Sequence, residues 1–245
     1  MAYTFYGGLL GIPRYYRLNP GKAYDRLNAF YDTTHSGLFD YCMSRRDLVY
    51  VNLFTDSLLV WGENEEEILG QLLTLYLGLI KEGLLLRGAL VKGSPTTDPR
   101  RTLDNFQGLL PEDDSLARAA GLAKTQKGAR LLIENALAEN LLQDCEEWLT
   151  HVGYLQDPKP DISVDDIRRR ISPTPDNKAY ELLHLWPRTD FPIYDSDKQS
   201  SASYSAWITK LSTLFADSNN IHYTQTAELL TRCKNRKEFT ERHIH

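Results

Sequence analysis

Apolar residues recur with two different periods along the first part of the chain, and each period predicts a different element. The segment from Tyr3 to Leu10 is short and rich in apolar and aromatic residues, which predicts a strand that Gly11 brings to an end. Between Asn19 and about Ser44, apolar residues fall at helical spacing. The chain is therefore expected to begin with a strand followed by a helix.

The next segment predicts a β-hairpin, a second helix and a further strand. Leu48 to Trp61 contains two apolar runs separated by a tight turn that carries Asp56. Asn64 and the acidic residues after it favour the start of a helix, because they cap the first turn and complement the helix dipole. Gly83 fits the end of this helix, and Leu84 to Lys92 predicts the next strand.

The order strand, helix, hairpin, helix, strand predicts an α+β fold. It is the order of a ferredoxin-like, split βαβ layer. In such a layer we expect an antiparallel sheet that carries its helices on one face, because each element has to bury one apolar side against another.

The second half of the chain has a less regular pattern. Ser94 to Asp114 is polar and contains several prolines, which predicts a long surface loop. Ser115 to about Trp148 is expected to be helical, with a break near Gly121 or Gly128 because glycine interrupts helices.

The C-terminal part is expected to extend the first domain. Ala179 to Trp186 predicts a strand, and the chain from Ser200 onward predicts two helices that are split near residues 218–220. We therefore divide the chain into a first domain at residues 1–156 and a strand and helical extension at residues 157–245, packed on the same domain.

Charge and cysteine content argue against several classes of protein. The 245 residues carry a net charge of -5 with a pI near 5.7, so no bulk attraction to nucleic acid or to an anionic membrane is expected. The three cysteines form no CxxC pair, which supports neither a disulfide framework nor a structural zinc site. No signal peptide or transmembrane pattern is present, so we expect a cytoplasmic protein.

Asp56 and Arg87 are the residues at which the sequence points to chemistry. A carboxylate at a hairpin tip and a guanidinium in a neighbouring strand suit a metal-bound polyphosphate, since carboxylates bind hard cations and arginine makes forked contacts with phosphate. Structural explanations stay open for both, because aspartate favours turns and a strand arginine pairs with a structural carboxylate. Tyr50, which has the strand parity of Asp56, is either a base contact or an ordinary strand aromatic.

Two motifs carry a resemblance to a known family. They are Phe54-Thr-Asp-Ser-Leu-Leu-Val60 and Leu86-Arg-Gly-Ala-Leu-Val-Lys-Gly93. With the order of elements, they resemble the class III nucleotide cyclase domain, and in particular the stand-alone bacterial pyrimidine cyclases of Pycsar antiphage systems. The resemblance covers roughly Tyr3 to Asn140.

The resemblance implies a role for each candidate residue. In the family, two aspartates hold two metal ions, Mg²⁺ or Mn²⁺, and Asp56 matches the aspartate of the hairpin. Arg87 matches the strand arginine that binds phosphate, and Tyr50 lies where purine-specific members carry a base-reading lysine. The family also implies a homodimer with active sites between head-to-tail subunits, and a product that activates a separate effector.

The chain departs from the family at three positions. Gly8 stands where the first-strand aspartate is expected, which removes one of the two carboxylate ligands. Leu132 and Ala136 stand where a helix supplies an asparagine and an arginine toward the substrate of the partner subunit. Three nearby residues are possible substitutes: Lys127, Arg130 and Asn135.

Three hypotheses follow from the sequence. The first is a homodimeric pyrimidine cyclase, a phosphorus-oxygen lyase that converts UTP or CTP to the 3′,5′-cyclic monophosphate and pyrophosphate in antiphage signalling. Asp56 and Arg87 would be catalytic, Asp56 would bind metal, and Tyr50 and Arg87 would bind substrate. The alternative is a catalytically silent pseudo-cyclase that binds nucleotide or acts as a dimeric interaction module. A third possibility is an interaction protein that uses Ser94 to Asp114 and the C-terminal helices.

Overall fold

The computed structural model describes residues 1–46, 48–95, 113–148, 167–168, 170–185 and 221–243, with side chains for all of these except 144–148 and 234–243. The strands are β1 (Tyr3–Leu9), β2 (Val49–Phe54), β3 (Ser57–Gly62), β4 (Leu86–Lys92), β5 (Leu131–Ile133), β6 (Ile171–Pro173) and β7 (Tyr180–Leu182). The helices are α1 (Ile12–Leu18), α2 (Pro20–Ser44), α3 (Glu65–Lys81), α4 (Ser115–Thr125), α5 (Asn135–Trp148) and α6 (Ile221–His243).

Within the described residues the strands form one seven-stranded sheet in the order β2-β3-β1-β4-β5-β7-β6. Neighbouring strands are antiparallel, except that β4 and β5 run parallel. Strand β1 lies in the interior of the sheet, because it pairs with β3 on one side and with β4 on the other. The fold is mixed α+β, as the pattern of the sequence predicts.

The elements predicted for residues 1–93 occur in the predicted order, with α1 as an additional short helix. Asn64 caps α3, since its Oδ1 accepts hydrogen bonds from the N–H groups of Glu66 and Glu67, both at 3.1 Å. Gly83 has a φ of 69°, the left-handed conformation in which helices commonly end. Local sequence signals therefore place these boundaries well.

Helices lie on both faces of the sheet, which corrects the expectation that they share one face. Helices α2 and α3 pack on the face that carries Phe5, Leu58 and Leu90. Helix α4 lies on the opposite face, where Ala123 packs with Ala89. The physical reason is the parallel pair β4 and β5, which requires a crossover connection, and α4 forms part of that connection.

The prediction of a largely helical segment from Ser115 to Trp148 is only partly correct. The segment contains α4, then strand β5, then α5, and the break falls at Gly128, whose φ is 86°. Strand β5 has three residues, all of them buried, and so short an apolar run has no period that separates strand from helix. Strand β6 was not predicted, whereas β7 lies within the predicted strand at 179–186.

Several predictions lie outside the described residues. The predicted loop at 94–114 is described only at its two ends, and the predicted split near residues 218–220 precedes the described start of α6. The proposed domain boundary at residue 156 also lies outside, so it stays a prediction.

Among the described helices, none combines the length and the apolar composition that a membrane-spanning segment needs.

Candidate functional site

Strand β1 brings the two predicted catalytic residues to the same end of the sheet. In the strand register, Gly8 lies opposite Ser57 of β3 and also opposite Arg87 of β4. Directly opposed residues in antiparallel strands share a face, so these three residues form one row on the α4 face. Neighbouring strands are about 4.8 Å apart, which puts the Cα atoms of Ser57 and Arg87 about 10 Å apart.

Asp56 lies at the end of this row. Its carbonyl oxygen accepts a hydrogen bond from the N–H of Leu9 at 2.7 Å, so the hairpin turn is fixed against the end of β1. Its carboxylate Oδ1 is 3.5 Å from Ser57 Oγ, and that hydroxyl is 3.2 Å from Tyr6 Oη. The side chains of Ser57 and Tyr6 lie on the α4 face, so the carboxylate is turned toward the face that carries Arg87.

The turn that carries Asp56 has a costly backbone conformation. Thr55 and Asp56 alone connect the paired residues Phe54 and Ser57. Thr55 has a φ of 46°, a left-handed conformation that is uncommon for a β-branched residue. Its Oγ1 donates a hydrogen bond to Asp56 Oδ1 at 3.3 Å. Strain of this kind persists only where the surroundings hold it, which they do here through β1.

The adjacent glycines Gly7 and Gly8 have different structural roles. A Cβ atom on Gly7 would lie 2.7 Å from the ring of Phe5, and one on Gly88 would lie 2.4 Å from the same ring, so this pair accommodates the aromatic side chain. Among the described residues, a Cβ atom on Gly8 would meet no atom closer than Asp56 O, at 4.0 Å. The middle of the row, at Gly8, therefore carries no side chain, and we call this position the floor of the site. It is the position at which the resemblance predicts the first-strand aspartate.

Arg87 is a half-buried cation at one end of this floor. Its Nη1 donates a hydrogen bond to the carbonyl of Gln126 at 3.3 Å. Burial lowers its pKa, and the nearby Tyr76 acts in the opposite direction. Among the residues that the structure describes, Arg87 forms no ion pair with a carboxylate. The alternative explanation from the sequence was a structural ion pair, and the described part of the chain offers Arg87 no carboxylate for it.

Tyr50 shares the face of Arg87 but lies far from the row. It is opposite Trp61, and Trp61 is opposite Thr4, which is four residues along β1 from Gly8. At about 3.3 Å per residue, this offset is about 13 Å along the strands. The ring of Tyr50 stacks on Trp61 with centroids 5.1 Å apart and an angle of 13°. The structure therefore places Asp56 and Arg87 at the same end of the sheet and Tyr50 toward the other end.

Among the described residues, the row supplies one of the two carboxylates that the resemblance implies for a pair of divalent cations. Mg²⁺ bound with a nucleotide commonly takes one or two carboxylates together with phosphate oxygens, and Gly8 removes one of these two carboxylates. Nowhere in the described part of the chain does a group of three or more His, Cys, Asp or Glu side chains have an arrangement suited to a metal. Two carboxylates earlier in the sequence are candidates to replace the missing aspartate, Asp40 and Asp47. Asp40 is exposed on α2, behind the opposite face, and Asp47 lies outside the described residues.

One of the three possible substitutes for the family's helix residues lies near the row. The segment from Gly128 to Ala136 contains strand β5 and is not a helix, so the expected correspondence is wrong. Arg130 is buried and paired with Glu181 at 2.6 Å. Asn135 follows β5 at the opposite end of the sheet from Arg87. Lys127 follows Gln126, which binds Arg87, and is exposed beside it.

His222 is a residue at this site that sequence reasoning missed. It lies at the start of α6, and its Nδ1 accepts a hydrogen bond from the N–H of Gly128 at 3.4 Å. Burial lowers its pKa, and the positive charges of Arg87 and Lys127 lower it further. The segment from Gln126 to Gly128 contacts Arg87 through the first residue and His222 through the last. No sequence signal could identify it, because a single histidine far along the chain has no characteristic spacing to the other residues.

Comparisons with known proteins give little beyond this geometry. No family model matches the chain, and no curated protein matches it. A solved structure of the guanylyl cyclase Cya2 is similar over 56% of this chain and 76% of that chain, with 13% sequence identity and a TM-score of 0.42. A likeness of this size assigns no function.

Proposed function

We propose that this chain is a ferredoxin-like, cyclase-type domain that binds the triphosphate of a nucleotide and does not cyclise it. The observation that carries the proposal is Arg87, a half-buried guanidinium with no carboxylate partner among the described residues, beside the open floor at Gly8. Burying a cation without a partner is costly, so a site of this kind favours an anion. The two family motifs support a nucleotide as the source of that anion.

The lack of a second carboxylate at the row, among the residues that the structure describes, favours binding without turnover. Cyclisation needs charge stabilisation on the phosphate oxygens and activation of the attacking hydroxyl, which the family obtains from two metal ions. Asp56 is one carboxylate of the pair, and Gly8 contributes none. The chain's own residues would bind and orient the phosphates, with Arg87 offering a planar fork of donors.

The test is equilibrium binding of UTP, CTP, ATP and GTP by calorimetry, with EDTA present and again with Mn²⁺. Arg87→Ala should weaken binding at least about tenfold, because hydrogen bonds to charged groups contribute about 1.5–3 kcal/mol. Arg45→Ala is the matched control, since Arg45 is an exposed arginine paired with Glu67. Equal losses in the two variants, or no binding of any nucleotide by the native chain, would overturn the proposal.

A second candidate is the active pyrimidine cyclase, which the orientation of the Asp56 carboxylate toward the Arg87 face favours. It would convert UTP or CTP to the 3′,5′-cyclic monophosphate for antiphage signalling, with Mg²⁺ or Mn²⁺ bound by Asp56 and by ligands beyond the described residues. Tyr50 would face the base of a nucleotide bound by a partner copy in a head-to-tail homodimer.

The two candidates differ in the effect of Asp56→Ala. For the silent binder, this change removes a negative charge near the phosphates, so nucleotide binding should be unchanged or tighter. For the enzyme, the native chain forms a cyclic product with Mn²⁺ and Asp56→Ala abolishes it. Mass spectrometry of the incubated nucleotide measures this outcome, and any cyclic product that depends on Asp56 selects the second candidate.

A further inference from the structure

The start of helix α6 is fixed against the end of the sheet at which Arg87 lies. The N–H of Gly128 donates to His222 Nδ1 at 3.4 Å, and the N–H of Ala129 donates to Thr226 Oγ1 at 2.9 Å. Gly128 is so close to this helix that a Cβ atom would lie 3.0 Å from the backbone of Gln225 and Thr226. The loop between α4 and β5 and the first turns of α6 therefore form one packed unit.

Beyond its first turns, helix α6 is attached to the rest of the fold by apolar contacts and by an ion pair. Leu229, Leu230 and Cys233 are buried with Ile80 and Leu85 of the first half of the chain. Further along, Arg232 forms an ion pair with the buried Glu181, which also binds Arg130. These contacts hold α6 in place, so the position of His222 beside the site is a fixed feature of the fold.

Three basic side chains from different elements converge at this point. Arg87 comes from β4, Lys127 from the loop after α4, and His222 from α6. Two acidic groups belong to these surroundings. Asp176 in the β6–β7 turn is exposed and hydrogen-bonded to the side chain of Gln126. Asp56 has its carboxylate turned toward the face of Arg87. Two full positive charges beside a histidine form a binding environment for an anion with several charges.

We propose that helix α6 completes the phosphate site, with His222 and Lys127 binding the same anion as Arg87. The proposal rests on the proposed function and assigns the γ end of the triphosphate, or an equivalent inorganic polyphosphate, to these three side chains. The C-terminal part of the chain is thereby a component of the binding site.

The hydrogen bond from Gly128 defines how His222 acts. A nitrogen that accepts a hydrogen bond carries no proton, so the neutral ring has its hydrogen on Nε2. Burial and the charges of Arg87 and Lys127 keep the pKa of His222 below its ordinary value, which favours the neutral ring at pH 7.5. His222 is therefore a neutral Nε2–H donor, and glutamine can reproduce both its acceptor and its donor.

The experiment measures binding of inorganic tripolyphosphate and of UTP to the full chain at pH 7.5 with EDTA, by calorimetry. His222→Ala and Lys127→Ala should each weaken binding about tenfold, while His222→Gln should stay within about threefold of the native chain. Two controls lie away from the site: Lys92→Ala, at the other end of β4, and His35→Ala, exposed on α2. Both should change affinity less than about twofold.

A second measurement does not depend on any variant folding. In the NMR spectrum of the native chain, the imidazole signals of His222 should report hydrogen on Nε2 and should shift when tripolyphosphate is added, while those of His35 should not. Unchanged His222 signals would overturn the inference. Binding that requires Arg87 but is indifferent to both His222→Ala and Lys127→Ala would overturn it and leave the proposed function standing. No binding of tripolyphosphate or UTP by the native chain would remove both.

Discussion

At the scale of single residues, glycines decide what the row on β1 is able to do. Gly7 and Gly88 are opposed across β1 and β4, and both lack a side chain because the ring of Phe5 occupies that space. Gly8, the next residue, faces the other side of the sheet, where no described side chain lies within 4 Å of the position that a Cβ atom would take. Of the two adjacent glycines, Gly7 makes room for the ring of Phe5 and Gly8 leaves the floor of the site without a side chain.

Gly88→Ala is predicted to destabilise the fold by about 1–3 kcal/mol, the usual cost of overpacking a core. Its Cβ atom would lie 2.4 Å from Phe5 Cζ and 2.8 Å from Tyr6 O, and the latter is a backbone atom that cannot turn away. Urea denaturation measures the change. The control is Gly121→Ala in α4, where a Cβ atom meets no described atom within 4 Å. That change should stabilise the helix by about 0.5–1 kcal/mol, and a loss of stability there would contradict the packing argument.

At the scale of elements, the end of β4 and the start of α4 are joined by polar contacts around Asp113. Its carboxylate accepts hydrogen bonds from the N–H of Ser94 at 2.9 Å and from the N–H of Ser115 at 2.8 Å. Arg118 of α4 forms ion pairs with Asp114 and with Glu134, which follows β5. These contacts position α4 on its face of the sheet, and thereby position Gln126 and Lys127 at its far end.

Asp113→Ala is predicted to reduce the free energy of unfolding by about 1 kcal/mol at pH 7, the typical net contribution of an intramolecular hydrogen bond. Burial alone would raise the pKa of Asp113, but the hydrogen bonds from Ser115 and Ser94 and the charge of Arg118 outweigh it, so the pKa lies below its usual value. A lowered pKa stabilises the fold above the unfolded value near 3.8, and this contribution is lost as the pH falls through the folded value.

The measurement is denaturation at pH 7 and again below pH 3. The difference between the native chain and Asp113→Ala should shrink at the lower pH, because the protonated carboxyl binds the two N–H groups poorly. Asp114→Ala is the control, since its carboxylate is mostly exposed and pairs with Arg118 alone. Its effect should stay below about 1 kcal/mol. A pH-independent cost for Asp113→Ala would contradict the role of its charge.

At the scale of the whole molecule, one buried carboxylate connects helix α6 to the sheet. Glu181 of β7 is fully buried and pairs with Arg130, before β5, and with Arg232 of α6. Arg130 also donates to the carbonyl of Gln225, and its own carbonyl accepts a hydrogen bond from Tyr76 Oη at 3.0 Å. Strand β7, helix α6 and helix α3 therefore meet around a single ionic cluster.

Glu181→Gln is predicted to cost about 3–5 kcal/mol, because removing one member of a buried ion pair leaves the other charge uncompensated. The measurement is the midpoint of urea denaturation, followed both by far-UV circular dichroism and by a probe in α6. Glu67→Gln is the control, since Glu67 forms an exposed pair with Arg45 and should cost less than about 1 kcal/mol. A single shared transition, shifted only in Glu181→Gln, is the expected result. Separate transitions for α6 and the sheet would show that the cluster does not couple them.

The first half of the fold was predictable because its signals are local. A capping asparagine at residue 64, a glycine with left-handed backbone at residue 83, and apolar runs of six or seven residues each depend on neighbours in sequence. Strands β5 and β6 were missed because three residues carry no period. Strand β5 pairs with β4 and β7, which are distant in sequence, whereas β6 pairs with the nearby β7. The placement of α4 on the second face likewise depends on a parallel pairing that the sequence pattern does not contain.

By itself, the sequence determined the residue types at the candidate site, namely a carboxylate at a hairpin tip, an arginine in a strand and a glycine in place of an acid. Side-chain chemistry and strand parity are properties of the chain before it folds. Tertiary structure alone decided that Gly8 lies between the strands of Asp56 and Arg87, that Tyr50 lies at the other end, and that α6 brings His222 to the row. The reason is that strand register and helix docking are set by contacts between distant segments, whose free energy is a sum over packing, hydrogen bonds and buried charge.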